Sequence, residues 1–311
     1  MTETMQAVQI HEYGGLDVLK LEAAPKPVPT ENEVLIRVAA AGINPVDTYA
    51  RAGGVAGMMG NDPFPLILGW DVSGMIEQAP AESGFQGGDA VYSMVNFPGK
   101  SSTYAQYVTA KLTDIAHAPQ AIPITEAAAV PLVALTAWQV LFEAGNLQAG
   151  QRVLIHAAAG GVGHIAVQLA KWKGATVIGT ASAQNADYLR QLGVDEFIDY
   201  TEQRYEDVVS DVDLVFDCVG SDTMARSIPI TKQGGTVITI AGQPEADEKD
   251  GVRLKRVLVR SSGEQLAEIA RLMDAGHVKP TVAHRFPLAQ TAQAHELQAS
   301  RHVRGKIILT T

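Results

Sequence analysis

The sequence is poor in cysteine, with Cys218 as the single thiol among its 311 residues. One cysteine cannot form a disulfide within the chain, and it cannot supply the several thiolates of a structural zinc lobe. Stable disulfides belong to oxidising compartments. The composition therefore favours a reducing compartment, and we expect a cytoplasmic protein.

Positive charge is also scarce, because 24 Lys and Arg stand against 34 Asp and Glu, for a net charge of −10. Surfaces that bind nucleic acid or anionic membranes need an excess of Lys and Arg, so we expect neither partner. Long apolar runs are missing as well, and no stretch of about 18 apolar residues predicts a membrane span. The opening MTETMQAVQIHEYGG lacks the basic and apolar regions of a signal peptide.

Short strands dominate the first third of the chain. Apolar or alternating runs, separated by Gly and Pro, occur at 5–10, 33–43, 71–79, 89–95 and 105–110. Many short strands with turn residues between them predict a β-sandwich or β-barrel.

The pattern changes near residue 124 to strands that alternate with helices. A helix-like segment at 124–145 comes first. Strands are predicted at 153–158, 175–181, 197–200, 213–219, 236–242 and 257–260, helices at 163–173 and 184–192, and an exposed polar loop at 243–251. This alternation predicts a parallel sheet covered on both faces, in an order that suits a doubly wound dinucleotide-binding domain. Two more helices, at 263–276 and 289–299, and the strand KIILT follow it.

A glycine-rich loop lies in HAAAGGVGHIAVQLAK, residues 156–171. Gly160 and Gly161 would let the backbone approach a pyrophosphate, and Gly163 would let the helix pack closely on the strand. Ala158 replaces the first glycine of the usual pattern, at a position that needs only an ordinary backbone conformation. The alternative is a tight turn that binds no ligand, but a strand before the loop and a helix after it favour a cofactor.

The second strand of this domain bears on which cofactor is bound. An acidic residue about 20 positions after the loop usually holds the ribose of NAD. Here the turn reads Gly179-Thr180-Ala181-Ser182, without an acid. Such a turn leaves room for a 2′-phosphate and favours NADP, unless it simply lacks a residue that reads the ribose.

Three motifs together carry a family resemblance: AAAGGVGHIAVQLAK, GINPVDTYAR (42–51) and LGWDVSG (68–74). The sequence resembles the zinc-independent quinone oxidoreductase branch of the medium-chain dehydrogenase/reductase superfamily. The resemblance implies an α/β protein with a GroES-like β-barrel catalytic domain, 1–123 and 262–311, and a doubly wound Rossmann domain, 124–261. It also implies NADPH in the cleft between them. A homodimer is expected, paired through an exposed final strand at 256–260.

The resemblance further implies that no catalytic zinc is bound. Zinc-dependent relatives use a Cys in the segment that here reads 42–47, and a Gly-His-Glu that here reads Gly69-Trp70-Asp71. Without a Lewis acid the substrate should itself accept hydride readily, as quinones and C=C bonds conjugated to a carbonyl do. Trp70 is expected either to wall the substrate pocket or to fill the core.

Site residues are carried over position by position. The resemblance assigns Asn44 and Tyr49 to catalysis, although a capping Asn and a packed Tyr are the plainer alternatives. Arg301 and Asn185 belong to the expected 2′-phosphate pocket, where Asn185 replaces a lysine of some relatives. The expected cofactor-binding residues are Thr136, Gly160, Gly161, Val162, Gly163, Ser182, Asn185, Tyr200, Cys218, Val219, Gly220, Ile240, Ala241, Gly242 and Arg301.

These observations predict an NADPH-dependent, zinc-free oxidoreductase that delivers hydride to a quinone or an α,β-unsaturated carbonyl. Two alternatives stay open. One is a non-catalytic NADPH-binding protein with a structural or redox-responsive role, which needs the glycine loop but no substrate pocket. The other is an enoyl-thioester reductase, which would need a basic groove for the tail of its substrate.

Overall fold

A computed structural model describes residues 3–59, 64–100 and 102–311. The chain divides into two compact units. Unit 1 comprises Met1–Leu135, Arg260–Gly276 and Pro280–Thr311, and unit 2 comprises Thr136–Val259 and His277–Lys279.

The strands and helices follow in chain order. The strands are β1 (Thr4–Ile10), β2 (Lys20–Pro25), β3 (Glu33–Ile43), β4 (Leu66–Ile67), β5 (Asp71–Gln78), β6 (Ala90–Met94), β7 (Tyr107–Lys111), β8 (Ile115–His117), β9 (Arg152–Ile155), β10 (Thr176–Ala181), β11 (Glu196–Asp199), β12 (Val212–Asp217), β13 (Thr231–Thr239), β14 (Glu248–Lys249), β15 (Val252–Arg256), β16 (Val282–Pro287) and β17 (Lys306–Thr310). The α-helices are α1 (Pro45–Arg51), α2 (Ala56–Met59), α3 (Ile124–Ala127), α4 (Pro131–Trp138), α5 (Gly161–Trp172), α6 (Ala186–Leu192), α7 (Thr223–Ser227), α8 (Gly263–Asp274) and α9 (Thr291–Ala299). Within the described part of the chain, no helix has both the length and the apolar character to cross a membrane.

Unit 1 is built on a sheet of order β16-β17-β3-β5-β6-β8, with β7 also paired to β3, and on a smaller sheet β2-β1-β4. The strands predicted in the first third of the chain are confirmed, with ends that differ by one or two residues. Strand β17 runs antiparallel to β3, and Ile307 lies opposite Ile43. This pairing brings the last strand of the chain beside the start of α1.

Unit 2 contains a sheet of order β11-β10-β9-β12-β13-β15-β14. Neighbouring strands are parallel except for the β14–β15 pair. The first six strands have the order 3-2-1-4-5-6 that is typical of dinucleotide-binding domains. Val153, Leu154 and Ile155 in β9 are fully buried, as expected for a central strand covered on both faces. The prediction of a doubly wound sheet is therefore confirmed.

The prediction of a final strand at 257–260 is wrong. The strand lies at Val252–Arg256, and β14 continues the sheet beyond it as an antiparallel hairpin. The two turn residues, Asp250 and Gly251, have φ values of 51° and 74°. Asp-Gly favours this kind of two-residue hairpin turn, so the segment predicted as a plain loop contained a strand signal. The exposed edge is β14, and 256–260 is not the edge strand through which pairing was expected.

The predicted helix at 124–145 is divided into three pieces. Helix α3 ends at Ala127, α4 begins at Pro131, and the turns at Gln139–Ala144 are π-helical. Proline lacks the N–H that would continue the helical bonds and restricts the residue before it. A proline at the first position of α4 therefore separates α3 from α4.

Candidate active site

The glycine loop of unit 2 joins β9 to α5. Ala157 has a φ of 51°, and the N–H of Gly160 donates to its carbonyl oxygen at 2.9 Å, which closes the turn. A Cβ on Gly163 would lie 2.3 Å from the Ala157 oxygen and 2.7 Å from Cα of Ala158. The helix therefore starts so close to the loop that no side chain fits at residue 163, as predicted for close packing.

Ala158 is accommodated by the neighbouring strand. Its side chain is fully buried, and its N–H donates to the carbonyl oxygen of Thr180 in β10 at 3.0 Å. A Cβ on Gly179 would lie 3.1 Å from Cβ of Ala158. The missing side chain at Gly179 therefore leaves space for the methyl group of Ala158.

The first turn of α5 provides the features of an anion site. The first N–H groups of a helix, here from Gly161, Val162 and Gly163, have no acceptor within the helix. They lie at the positive end of the helix dipole, which attracts a phosphate. A short loop with no room for a side chain at Gly163 fits a pyrophosphate group.

Two turns at the carboxyl edge of the same sheet meet each other. Oδ1 of Asp217, at the end of β12, accepts the N–H groups of Val219 at 2.9 Å and Gly220 at 3.0 Å. Gly220 has a φ of 81°, and a Cβ there would lie 2.4 Å from the carbonyl oxygen of Ala241. The structure thus brings together the predicted segments 218–220 and 240–242. Their binding of a cofactor stays a prediction.

Cys218 is a small, partly buried residue. Burial raises the pKa of its thiol well above the ordinary value, and Asp217 adds to this effect. The thiol therefore stays neutral, and it is a poor nucleophile because the thiolate is the reactive species.

The residues predicted to surround a 2′-phosphate in unit 2 cluster at the end of β10. Asn185 Nδ2 donates to Ser182 Oγ at 3.2 Å. The backbone N–H of Tyr200 donates to the carbonyl oxygen of Ala181 at 3.3 Å, and the Tyr200 side chain is 60% exposed. These three predicted residues are therefore neighbours, whereas Thr136 lies buried in α4.

Sequence reasoning missed Asp199, the last residue of β11, which is paired in register with Ala181 of β10. Its Oδ1 accepts the Thr201 hydroxyl at 2.7 Å and the Thr201 N–H at 2.9 Å. These bonds lower the pKa of the carboxyl group. The expected acid was sought at the end of the second strand, but this one ends the third, a position that only the strand pairing reveals.

Asn44 in unit 1 immediately precedes α1, and its backbone N–H donates to Asp47 Oδ2 at 2.7 Å. Its amide is fully buried. Nδ2 donates to Asp71 Oδ2 at 2.8 Å, and Oδ1 accepts a hydrogen bond from Lys306 Nζ. Both ends of the predicted catalytic amide are thus bonded inside the unit.

Lys306 is the residue of this cluster that sequence reasoning did not find. Its ammonium is buried, donates to the carbonyl oxygen of Ile43 at 2.6 Å and lies 3.8 Å from Asp71 Oδ2. Burial lowers the pKa of Lys306, and Asp71 opposes this shift. Burial raises the pKa of Asp71 to about 6, against the pull of Lys306 and Asn44. A lysine at the start of an apolar strand gives no sign of such a partner until β17 is known to pair with β3.

A second buried chain of polar groups lies behind α1. Asp47 Oδ2 accepts the hydroxyl of Tyr104 at 2.9 Å, and His295 Nε2 lies 3.2 Å from the same hydroxyl. Burial raises the pKa of Asp47 to about 7 and lowers that of His295 to about 3. Asp47 therefore links the start of α1 to the interior of unit 1.

Tyr49 is the accessible member of the predicted catalytic pair, with 47% of its surface exposed. Arg301 Nη2 donates to its hydroxyl oxygen at 2.8 Å. The structure thus brings together two predicted residues that are 252 positions apart.

Trp70 fills the core of unit 1. The side chain is fully buried, packs edge-on against Phe97 at 5.3 Å between ring centroids, and donates from Nε1 to the carbonyl oxygen of Gly99 at 3.0 Å. An indole supplies no zinc ligand. Across residues 3–59, 64–100 and 102–311, no group of three or more His, Cys, Asp or Glu is placed to hold a metal ion.

Comparisons with known proteins agree with these features. The model of the alcohol dehydrogenase GroES-like domain matches residues 30–120, and that of the zinc-binding dehydrogenase matches residues 192–309. The chain is 33% identical to an NADPH-dependent alkenal/one oxidoreductase of Arabidopsis thaliana, over 98% of this chain and 79% of that protein. It is 32% identical to a quinone oxidoreductase of Sus scrofa, over 98% of this chain and 97% of that protein.

A solved structure gives the same result. The quinone oxidoreductase from Coxiella burnetii superposes with a TM-score of 0.92 at 34% identity, covering 99% of this chain and 100% of that one. The fold combines a GroES-like domain with a Rossmann-type sheet. The chain belongs to the quinone oxidoreductase branch of the medium-chain dehydrogenase/reductase superfamily, and it is an oxidoreductase of that superfamily.

Proposed function

We propose that this protein is an NADPH-dependent oxidoreductase that delivers hydride, without a metal ion, to a quinone or to a C=C bond conjugated with a carbonyl. The observation that carries the proposal is the loop between β9 and α5, where Gly163 lies against Ala157 with no room for a side chain. The activities for which the alkenal/one and quinone oxidoreductase relatives are named support the substrate class.

NADPH, when bound, supplies the hydride, and the protein supplies binding, orientation and protection from water. We infer that Gly160, Gly161, Val162 and Gly163 bind the pyrophosphate through their backbone. The turns at 218–220 and 240–242, together with Thr136, line the rest of the cofactor. We propose a dinucleotide-binding domain at 124–261 and a catalytic domain formed by 1–123 and 262–311. The division into two compact units supports this, although residues 124–135 belong to unit 1 and 277–279 to unit 2.

The preference for NADP is proposed to come from Ser182, Asn185 and Tyr200. Arg301 donates to Tyr49 in unit 1, and its binding of a phosphate stays a prediction. The ionised carboxylate of Asp199 lies beside the same turn, and its charge opposes that of a phosphate. We therefore expect NADPH to be preferred over NADH by a moderate factor.

In unit 1, the hydroxyl of Tyr49 is proposed to donate a hydrogen bond to the substrate oxygen as negative charge develops there. Its 47% exposure makes this group accessible, and Arg301 holds its oxygen at 2.8 Å. Asn44 is proposed to support the reaction through its position before α1, which is fixed because its amide is bonded to Lys306 and Asp71. The segment 42–47 and Trp70, at the two zinc positions, offer neither a thiolate nor an imidazole, so the acceptor must be activated by its own conjugation.

The experiment is a steady-state assay of NADPH and NADH oxidation with a panel of quinones and enones. Turnover with at least one class, faster with NADPH than with NADH, is expected. If the protein binds NADPH but oxidises it with no member of either class, the proposal fails and a non-catalytic NADPH-binding role is favoured.

Two further parts of the proposal concern the protein in the cell. We propose a homodimer, which light scattering of the purified protein at several concentrations would test, a monomer at all of them contradicting it. We also propose a cytoplasmic location, which the single cysteine supports.

A further inference from the structure

Lys306 carries a buried ammonium group that no predicted role explains. It donates to the carbonyl oxygen of Ile43 at 2.6 Å and to the amide oxygen of Asn44, and Asp71 Oδ2 lies at 3.8 Å. Three polar groups from two parts of unit 1, residues 43–44 and Asp71, therefore surround one positive charge directly before α1.

The chemistry of the two neighbours fixes the orientation of the Asn44 amide. An ammonium group only donates hydrogen bonds, and an ionised carboxylate only accepts them. The amide oxygen of Asn44 must therefore face Lys306, and its nitrogen must face Asp71 Oδ2 at 2.8 Å. A flipped amide would place two donors against each other and two acceptors against each other.

Stability alone does not account for this cluster. Replacing a buried ion pair by well-packed apolar residues is often neutral or stabilising, because both charges lose their hydration on burial. What the charged pair provides is a fixed geometry at the junction between β3 and α1. Tyr49 lies on α1, and Arg301, from the segment that leads into β17, bonds its hydroxyl.

We propose that Lys306 is a positioning residue whose ammonium holds the Asn44 amide in one orientation and so fixes the start of the helix that carries Tyr49. Its effect on turnover rests on the proposed function, since Asn44 and Tyr49 serve the reaction only if that function is right. The orientation of the amide does not depend on turnover and can be measured by itself.

The test compares Lys306→Met, Asp71→Asn and the double variant, with Lys232→Met as the control. Lys232 is paired with Asp213 at 2.8 Å in unit 2, so the control also removes one lysine from an ion pair. Each single variant leaves one buried charge unpaired and should lower the thermal midpoint. The double variant removes both charges and should recover part of that loss; full recovery is not expected, because the acceptors of Lys306 lose their donor and Asp71 Oδ1 also accepts the N–H of Leu132.

Two readouts then separate positioning from charge balance. The first is turnover with the best quinone or enone, beside NADPH affinity from fluorescence titration. The double variant should bind NADPH within about twofold of the parent protein while kcat stays lowered by about tenfold or more, because small misplacements of catalytic groups are costly. The control should leave both values unchanged.

The second readout is the side-chain amide of Asn44, observed by NMR after selective 15N labelling of Asn and assigned by its loss in Asn44→Ala. The parent protein should show NH₂ protons that exchange slowly with water and have chemical shifts unlike those of a free asparagine amide. The double variant should show faster exchange with water and shifts closer to those of a free amide.

Unchanged Asn44 signals in the double variant would overturn the inference, and so would recovery of parental kcat. If the parent protein oxidises NADPH with no acceptor while the Asn44 signals still respond to Lys306→Met, the proposed function fails and the positioning role stands.

Discussion

The two units build their candidate sites in different ways. In unit 2 the site is made of backbone, with glycines that leave room where a Cβ would lie 2.3–2.4 Å from a carbonyl oxygen at Gly163 and Gly220. In unit 1 it is made of side chains, and the bond between Lys306 and Asn44 joins residues 262 positions apart. A site made of backbone can be predicted from a short contiguous sequence pattern, whereas a site made of side chains depends on which strands become neighbours.

The two sites also differ in how they handle charge. Unit 1 buries an ammonium and two carboxyl groups, Lys306, Asp47 and Asp71. Unit 2 buries the carboxyl group of Asp217 and, at the start of the loop after β9, His156, whose ring nitrogens lie 3.2 Å from Thr180 Oγ1 and 3.3 Å from Ser227 Oγ. Burial lowers the pKa of His156 to about 4, so this histidine is neutral at pH 7. Asp47 and Asp71 should therefore titrate near neutral pH, and His156 should not.

The largest expected effect is from Gly163→Ala. Its Cβ would collide with the oxygen of Ala157 and with the backbone of Ala158, so the loop must move. We expect the free energy of unfolding to fall by about 3 kcal/mol. NADPH binding, followed by fluorescence titration, should be lost.

Gly160→Ala is the matched control in the same loop, because its nearest neighbour would lie at 3.2 Å. Gly160→Ala should lower the free energy of unfolding clearly less than Gly163→Ala does. Equal losses from the two substitutions would show that close packing at residue 163 does not define the site.

Tyr49→Phe tests the side-chain site of unit 1. Removing the hydroxyl removes a donor for developing negative charge, and we expect kcat to fall by about tenfold, less than for a fully buried donor. NADPH affinity should change by less than about twofold, since a lost neutral hydrogen bond is worth about 1 kcal/mol at most sites.

Tyr13→Phe serves as the control, because Tyr13 is a partly exposed tyrosine of the same unit that packs on Phe64. Turnover that is unaltered in Tyr49→Phe would remove Tyr49 from the catalytic assignment.

Asp47→Asn sharpens the contrast in pH response. The pKa of Asp47 is raised to about 7, so the folded protein holds a proton that the unfolded chain releases at lower pH. The free energy of unfolding should therefore fall as pH rises from about 4 to about 7. Asp47→Asn removes this pH-dependent contribution. The thermal midpoint of the variant minus that of the parent should therefore rise by a few degrees between pH 5 and pH 8.

Asp213→Asn in unit 2 is the control. The pKa of Asp213 is lowered, so its carboxyl group does not titrate between pH 5 and pH 8. If the difference in thermal midpoint between Asp47→Asn and the parent does not change with pH, Asp47 does not titrate near neutral pH.

The smallest expected effect is from Asn185→Lys, which restores a lysine found in some relatives. A partly exposed ion pair with a phosphate is worth up to about 1 kcal/mol, so NADPH should bind up to about fivefold more tightly. NADH affinity should stay unchanged, and added salt should reduce the gain.

Asn185→Gln keeps the amide without the charge and should show no gain. Equal tightening of NADH and NADPH by Asn185→Lys would mean that residue 185 does not face the 2′-phosphate.

The sequence predicted the local structure around the glycine loop of unit 2 better than the side-chain contacts of unit 1, for physical reasons. The strand, loop and helix around Gly160–Gly163 are contiguous, so spacing alone places them. Asp199 and Lys306 could not be found in this way, since each acts beside a strand that is distant in the chain. The break at Pro131 and the Asp250-Gly251 hairpin had local signals, which longer helical and loop patterns obscured.

Bound NADPH should be oxidised directly by a conjugated acceptor. To measure this, the protein is loaded with one equivalent of NADPH and mixed in a stopped-flow instrument with the best quinone or enone. We expect the NADPH absorbance to be lost in a single exponential phase, with one equivalent of acceptor reduced, and with a lower rate constant in Tyr49→Phe. NADPH that stays bound and unoxidised with every acceptor of both classes would contradict it.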